Sequence, residues 1–84
     1  MTNHVEIIEK YLNELSDENN LGEVTFHKVE DEDELDEIFY VSVPKNIRPH
    51  DKQAIWKDMI DDTRKFCIDH DLEEHLKDMS IILK

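Results

Sequence analysis

The chain has 84 residues, of which 38% are apolar and 38% charged, and its 22 acidic and 10 basic residues give a formal net charge of −12. This length suits one domain with a modest core. So large a negative charge excludes a conventional nucleic-acid binder, whose affinity comes from Lys and Arg on phosphates. No apolar run approaches the ~20 residues of a membrane span. We therefore predict a single small acidic globular domain over residues 1–84, with no direct nucleic-acid or membrane contact.

A first helix is predicted over residues 4–16, because apolar residues recur there at steps of three and four: Val5, Ile8, Leu12, Leu15. Asn3 followed by Glu6 is typical of a capping box, with Thr2 as an alternative cap. Asn and Gly tolerate the left-handed backbone conformation, so the helix is expected to stop between Ser16 and Asn20.

Two strands follow. Residues 23–29 alternate, with Val24 and Phe26 on one face, and Val29 breaks the alternation, which predicts a bulge or an early strand end. Residues 38–43 form a stronger strand, ended by Pro44. The stretch from Glu30 to Glu37 is acidic except for one leucine. It predicts a solvated, mobile loop in a hairpin longer than the two-residue kind.

A long helix is predicted from Pro49 to about His70, with His50 or Asp51 as its cap. Its expected buried stripe is Ile55, Trp56, Met59, Ile60, Thr63, Phe66 and Cys67. For Trp56, core packing is the favoured interpretation over a role as a partner anchor. Asp71 and Glu74 repeat the capping-box spacing, which predicts a separate helical turn over residues 72–77.

The apolar run from Met79 to Leu83 predicts a third strand. The fold class is therefore α+β: a two-layer sandwich in the order α-β-β-α-β, with two helices packed on one face of a three-stranded sheet. The third strand lies parallel if it pairs with the second strand and antiparallel if it pairs with the first. The sequence leaves both placements open.

No catalytic constellation is visible. Cys67 falls on the apolar stripe, where burial raises a thiol pKa, and the single glycine excludes a phosphate loop. Cys67, His70 and His75, with Asp71 and Glu74 between them, are the best metal candidates, but zinc sites usually need four well-spaced ligands. We predict a non-enzymatic protein with no cofactor, no catalytic residues and no metal ligands.

The acidic loop does not have the residue pattern of a calcium-binding EF-hand. An EF-hand starting at Asp31 needs Gly at its sixth position and Glu at its twelfth, but Asp36 and Ser42 stand there. The motif therefore fails, and a solvated loop is the better interpretation.

The most favoured function is a protein–protein interaction or regulatory module that binds a partner, such as one with a basic surface, through acidic side chains. The expected contact residues are Asp31, Glu32, Asp33, Glu34, Asp36 and Glu37. One alternative is a nucleic-acid mimic that inhibits a DNA- or RNA-binding protein, and a second is a metal site around Cys67. Oligomeric state stays open. A lone cysteine, with Glu6 and Glu9 where a signal peptide would be apolar, favours the cytoplasm.

Overall fold

A computed structural model describes residues 3–84 and confirms the predicted α-β-β-α-β order. The elements are α1 (His4–Glu18), β1 (Val24–Glu30), β2 (Leu35–Val41), α2 (Pro49–Asp69), a 3₁₀ helix (Glu73–Asp78) and β3 (Met79–Leu83). The predicted separate turn before the last strand is the 3₁₀ helix. Thr2, the alternative cap, lies outside the described residues.

The sheet has the order β1-β2-β3, with β2 in the centre. β1 pairs with β2 antiparallel, and β3 pairs with β2 parallel after the crossover through α2. Of the two placements open to β3, the parallel one is therefore observed. Alternate residues of the strands face the helices. Together with residues of both helices they form one buried hydrophobic core: Ile8, Leu12, Leu15, Val24, Phe39, Val41, Met59, Cys67, Ile81 and Leu83. The two-layer sandwich is confirmed.

The hairpin is longer and more regular than its composition predicts. Its register runs without interruption from Val24 opposite Val41 to Glu30 opposite Leu35. The predicted bulge or early strand end at Val29 is therefore wrong. β2 begins three residues before the predicted start, so much of the acidic stretch is strand and only residues 31–34 form the turn. The strands extend into the acidic stretch because their backbone amides and carbonyls pair with each other whatever charge the side chains carry.

The predicted N-terminal cap of α1 is observed, whereas those of α2 are not. Asn3 Oδ1 accepts a hydrogen bond from the Glu6 amide at 3.0 Å, which confirms the cap of α1. α2 begins at Pro49 and ends one residue before His70, but its cap residue, Arg48, makes no side-chain cap bond. The predicted caps at His50 and Asp51 are therefore wrong.

The second predicted capping box, Asp71 with Glu74, is also wrong. Asp71 has a φ of 58°, which places it in the left-handed region where Asp is among the better-tolerated residues. It therefore reverses the chain just after α2. The cap position of the 3₁₀ helix is Leu72, which makes no side-chain cap bond.

The helical stripe of α2 is buried unevenly. Met59, Thr63 and Cys67 are buried, whereas Trp56 keeps 37% of its surface exposed, so the favoured core interpretation of Trp56 is wrong. Trp56 lies instead at the free edge of β3, where its Nε1 donates to the Ile81 carbonyl at 2.6 Å. Unpaired edge groups invite association with other chains, and this indole covers one of them.

Candidate functional site

The turn between β1 and β2 gathers carboxylates at one end of the molecule. The Asp31 amide donates to the Glu34 carbonyl at 2.8 Å, and the Glu34 amide donates back to the Asp31 carbonyl at 3.3 Å. These two bonds fix the backbone of the turn. All four of its side chains are exposed, and Glu30 and Asp78 line the same surface. We call residues 30–34 with Asp78 the acidic tip.

The charges of the acidic tip are almost entirely unneutralised. Lys28 Nζ lies 3.0 Å from Glu30 Oε1, and both side chains are largely exposed. Among residues 3–84, no lysine or arginine comes within ion-pair distance of the other tip carboxylates. An exposed pair such as Lys28–Glu30 contributes little to stability. The tip therefore presents a compact negative surface on an ordered turn.

The structure separates the six predicted contact residues into three groups. Asp31, Glu32, Asp33 and Glu34 lie together on the turn. Asp36 is exposed in β2, and the side-chain alternation of a strand places it on the sheet face opposite to that of Glu37. Glu37 is only 4% exposed and lies on the helix-facing side. It is therefore not part of the accessible tip.

The buried Glu37 carboxylate has a histidine partner from α1. His4 Nε2 lies 2.9 Å from Glu37 Oε1 and 2.8 Å from Oε2, so the ring contacts both oxygens. Lys28 stands opposite Glu37 in β1, but its ammonium is directed to Glu30. A carboxylate so far removed from water needs a compensating partner, and His4 supplies one.

A second histidine completes this cluster. The His75 ring, carried by the 3₁₀ helix, stacks on the His4 ring with centroids 3.6 Å apart and planes within 1° of parallel. One ligand atom from each of His4, Glu37 and His75 lies within 4.8 Å of the others. We call these three residues the His–Glu–His cluster. Sequence reasoning missed it because His4 and Glu37 are 33 positions apart and belong to no spacing motif.

The candidates around Cys67 do not come together in the same way. Cys67 is fully buried in the core, and burial raises the pKa of its thiol. The His70 ring packs against Phe66 at a centroid distance of 4.3 Å. Of the predicted Cys67, His70 and His75 set, only His75 belongs to a potential ligand cluster within residues 3–84.

The edge of β3 beside Trp56 is the other exposed feature. An open apolar depression lies along it, lined by Pro49, Trp56, Ile82 and Leu83 with neighbouring residues of α2. Ile82 and Trp56 are more exposed than most apolar residues of this chain. The depression carries no charged cluster, and the indole of Trp56 already occupies part of the strand edge.

Comparison with known protein families, with curated proteins and with solved structures gave no match to this chain. Neither helix within residues 3–84 combines the length and hydrophobicity that crossing a bilayer requires. Any function assigned to the protein therefore depends on its own geometry and charge.

Proposed function

We propose that the protein is a non-enzymatic interaction module that binds a basic surface of another protein through the acidic tip. The observation that carries this proposal is the doubly hydrogen-bonded turn, which holds four exposed carboxylates side by side, none of them ion-paired within residues 3–84. Asp78, the last residue of the 3₁₀ helix, adds a fifth carboxylate. Complementary charge of this kind directs association and increases its rate.

The fixed backbone supports a binding role for this turn. Neighbouring carboxylates repel one another, so holding them close opposes folding to a small degree. Bringing lysine or arginine side chains to the tip relieves that repulsion, and the ordered turn reduces the entropy lost on binding. The contact residues proposed for this surface are Asp31, Glu32, Asp33 and Glu34, with Glu30 and Asp78 at its margin.

The test compares two variants of equal net charge. The tip variant carries Asp31→Asn, Glu32→Gln, Asp33→Asn and Glu34→Gln, which raises the net charge of −12 by four, to −8. The matched variant neutralises four exposed acids on the helices: Glu14→Gln, Asp17→Asn, Glu18→Gln and Asp61→Asn. The probe is a fluorescent octalysine peptide, titrated at low and at moderate salt.

The tip variant is expected to bind octalysine roughly tenfold more weakly, because each exposed ion pair is worth about 0.2–1 kcal/mol and four are removed. The matched variant should stay within about twofold of the wild type. Equal weakening in both variants would mean that the acidity acts only as diffuse charge and would overturn the proposal.

Isolation of the cellular partner then tests its class. A partner retained by the wild type and the matched variant, but lost by the tip variant, is the expected result. Adding duplex DNA to the complex distinguishes a nucleic-acid mimic from a module that binds another kind of basic protein. Displacement of the partner by DNA would identify a nucleic-acid-binding protein and favour the mimic interpretation, since the two ligands then share one basic groove.

A further inference from the structure

Glu37 occupies a position that the fold would normally give to an apolar residue. It lies on the helix-facing side of the central strand, in line with Phe39 and Val41, which are among the most deeply buried residues. Burying a carboxylate there opposes folding unless it is paired, and an apolar side chain of similar size often serves stability equally well or better. The placement of Glu37 therefore indicates a chemical role.

The surroundings of Glu37 supply the ligands that such a role needs. His4 from α1 and His75 from the 3₁₀ helix stack face to face beside it, and one ligand atom from each of the three residues falls within a 4.8 Å cluster. Two ligands bound to one tetrahedral metal at about 2.0–2.1 Å stand roughly 3.4 Å apart. Zinc lies in the plane of each imidazole that binds it, so coordination would require the two stacked rings to tilt out of their parallel arrangement as the three donors move to coordination distance.

We propose that His4, Glu37 and His75 form a binding site for a divalent transition-metal ion, with zinc as the best-suited ion. Two imidazole nitrogens and one carboxylate oxygen match the donor preferences of zinc, whereas magnesium and calcium prefer oxygen donors alone. Three protein ligands leave a fourth position for water or for a donor from a bound molecule.

The three ligands come from three separate elements. His4 is in the first turn of α1, Glu37 is in the central strand, and His75 is in the connection before β3. A bound ion would join the start of α1 and the 3₁₀ helix to the sheet. The ion therefore acts as a structural cross-link, and the folded chain binds it much better than the unfolded chain does.

The experiment uses the full chain without a histidine tag, freed of metal by a chelator and dialysed. Zinc chloride is titrated by calorimetry, and thermal unfolding is followed by circular dichroism with and without zinc. The expected results are one saturable site per chain and a midpoint raised by about 10 °C or more at a hundredfold excess over the dissociation constant. Millimolar magnesium should give no comparable shift.

Two variants remove ligands while keeping shape. Glu37→Gln keeps an acceptor for His4, and His75→Phe keeps a ring for stacking. Each should weaken zinc binding by roughly a hundredfold or more, as loss of a direct ligand exceeds the effect of disturbing an outer-sphere partner. The matched control is His50→Ala, since the His50 side chain is almost fully exposed and lies outside the cluster. It should bind zinc as the wild type does.

A measurement on the wild type keeps the proposal testable even if a variant fails to fold. Imidazole nitrogen resonances of the five histidines are recorded during zinc titration. Selective shifts of His4 and His75 support the site. The absence of saturable binding, shifts confined to other histidines, or unchanged affinity in both ligand variants would overturn it.

Discussion

Replacing Glu37 by leucine separates what the fold requires from what the proposed ion requires. The charge-assisted bond to His4 contributes about 1.5–3 kcal/mol. Against this, taking a carboxylate out of water costs several kcal/mol, and a buried leucine side chain contributes about 1.5–3 kcal/mol. His4 keeps about a quarter of its side chain exposed and can bond to water when the carboxylate is gone.

Without metal, we therefore expect the free energy of unfolding of Glu37→Leu to lie within about 1 kcal/mol of the wild-type value or to be slightly higher. The assay is urea unfolding followed by circular dichroism in the presence of a chelator, with the slope of the transition compared between the two proteins. The same variant should lose all of the stabilisation that zinc gives the wild type. A loss above about 3 kcal/mol without metal would show that Glu37 is needed by the fold itself, and the argument from its burial would fail.

Three further changes test the packing. Phe39→Ala should cost about 3–5 kcal/mol in urea unfolding, whereas Phe66→Ala should cost less, because Phe66 is only half-buried; equal losses would contradict this ranking. Cys67 should react with a thiol reagent at pH 8 roughly tenfold more slowly in the native state than in urea. Because burial raises the pKa of the Cys67 thiol, the native reaction should also need a higher pH than the reaction of a free thiol. Native reaction at the unfolded rate would contradict the burial. Trp56→Phe removes the donor to the Ile81 carbonyl, so we expect a loss of about 1 kcal/mol and more self-association in light scattering; an unchanged monomer would show that the indole does not protect the edge.

The periodicity of apolar residues predicts this fold well because burial of one face decides each element. The stripe of Ile8, Leu12 and Leu15 and the alternation about Phe39 are both buried as expected. Local capping rules fail where another geometry competes. Asp71 has the spacing of a cap, but the chain reversal after α2 uses it as a left-handed residue instead.

Side-chain environment is harder to predict than element type. Trp56 shares a helical stripe with Met59, yet the Trp56 indole bonds to the edge of β3 and stays partly exposed, whereas Met59 enters the core. Composition places Glu37 with its acidic neighbours, because composition does not show that the strand begins at Leu35. Because β2 begins at Leu35, the alternation of side chains along the strand places Glu37 on the helix-facing side of the sheet and Asp36 on the opposite side.

The two candidate sites differ in how far sequence alone predicts them. The acidic tip is local in sequence, so its residues could be named from composition alone, and the structure adds the fixed turn and Asp78. The His–Glu–His cluster depends on tertiary packing, which brings α1 and the 3₁₀ helix to the same place on β2. No spacing rule connects residues that meet only because a parallel crossover places β3 beside β2.

The acidic tip and the His–Glu–His cluster lie close together along the chain, which permits a test that separates them. Glu37 follows Glu34 by three residues, and His75 shares its 3₁₀ helix with Asp78. The negative potential of the tip concentrates all cations nearby, but salt screens such exposed charge over about 8–10 Å.

Coordination by three direct ligands is short in range and partly buried, so salt affects it less. Raising sodium chloride from about 0.05 to about 0.5 M should therefore weaken octalysine binding steeply and zinc binding only modestly. The tip variant should likewise keep one zinc per chain, with a slower approach of the ion. If salt or tip neutralisation abolished zinc binding as completely as it abolished peptide binding, the ion would be held by the diffuse charge of the tip, because a coordinated ion keeps its ligands when the surrounding field is removed.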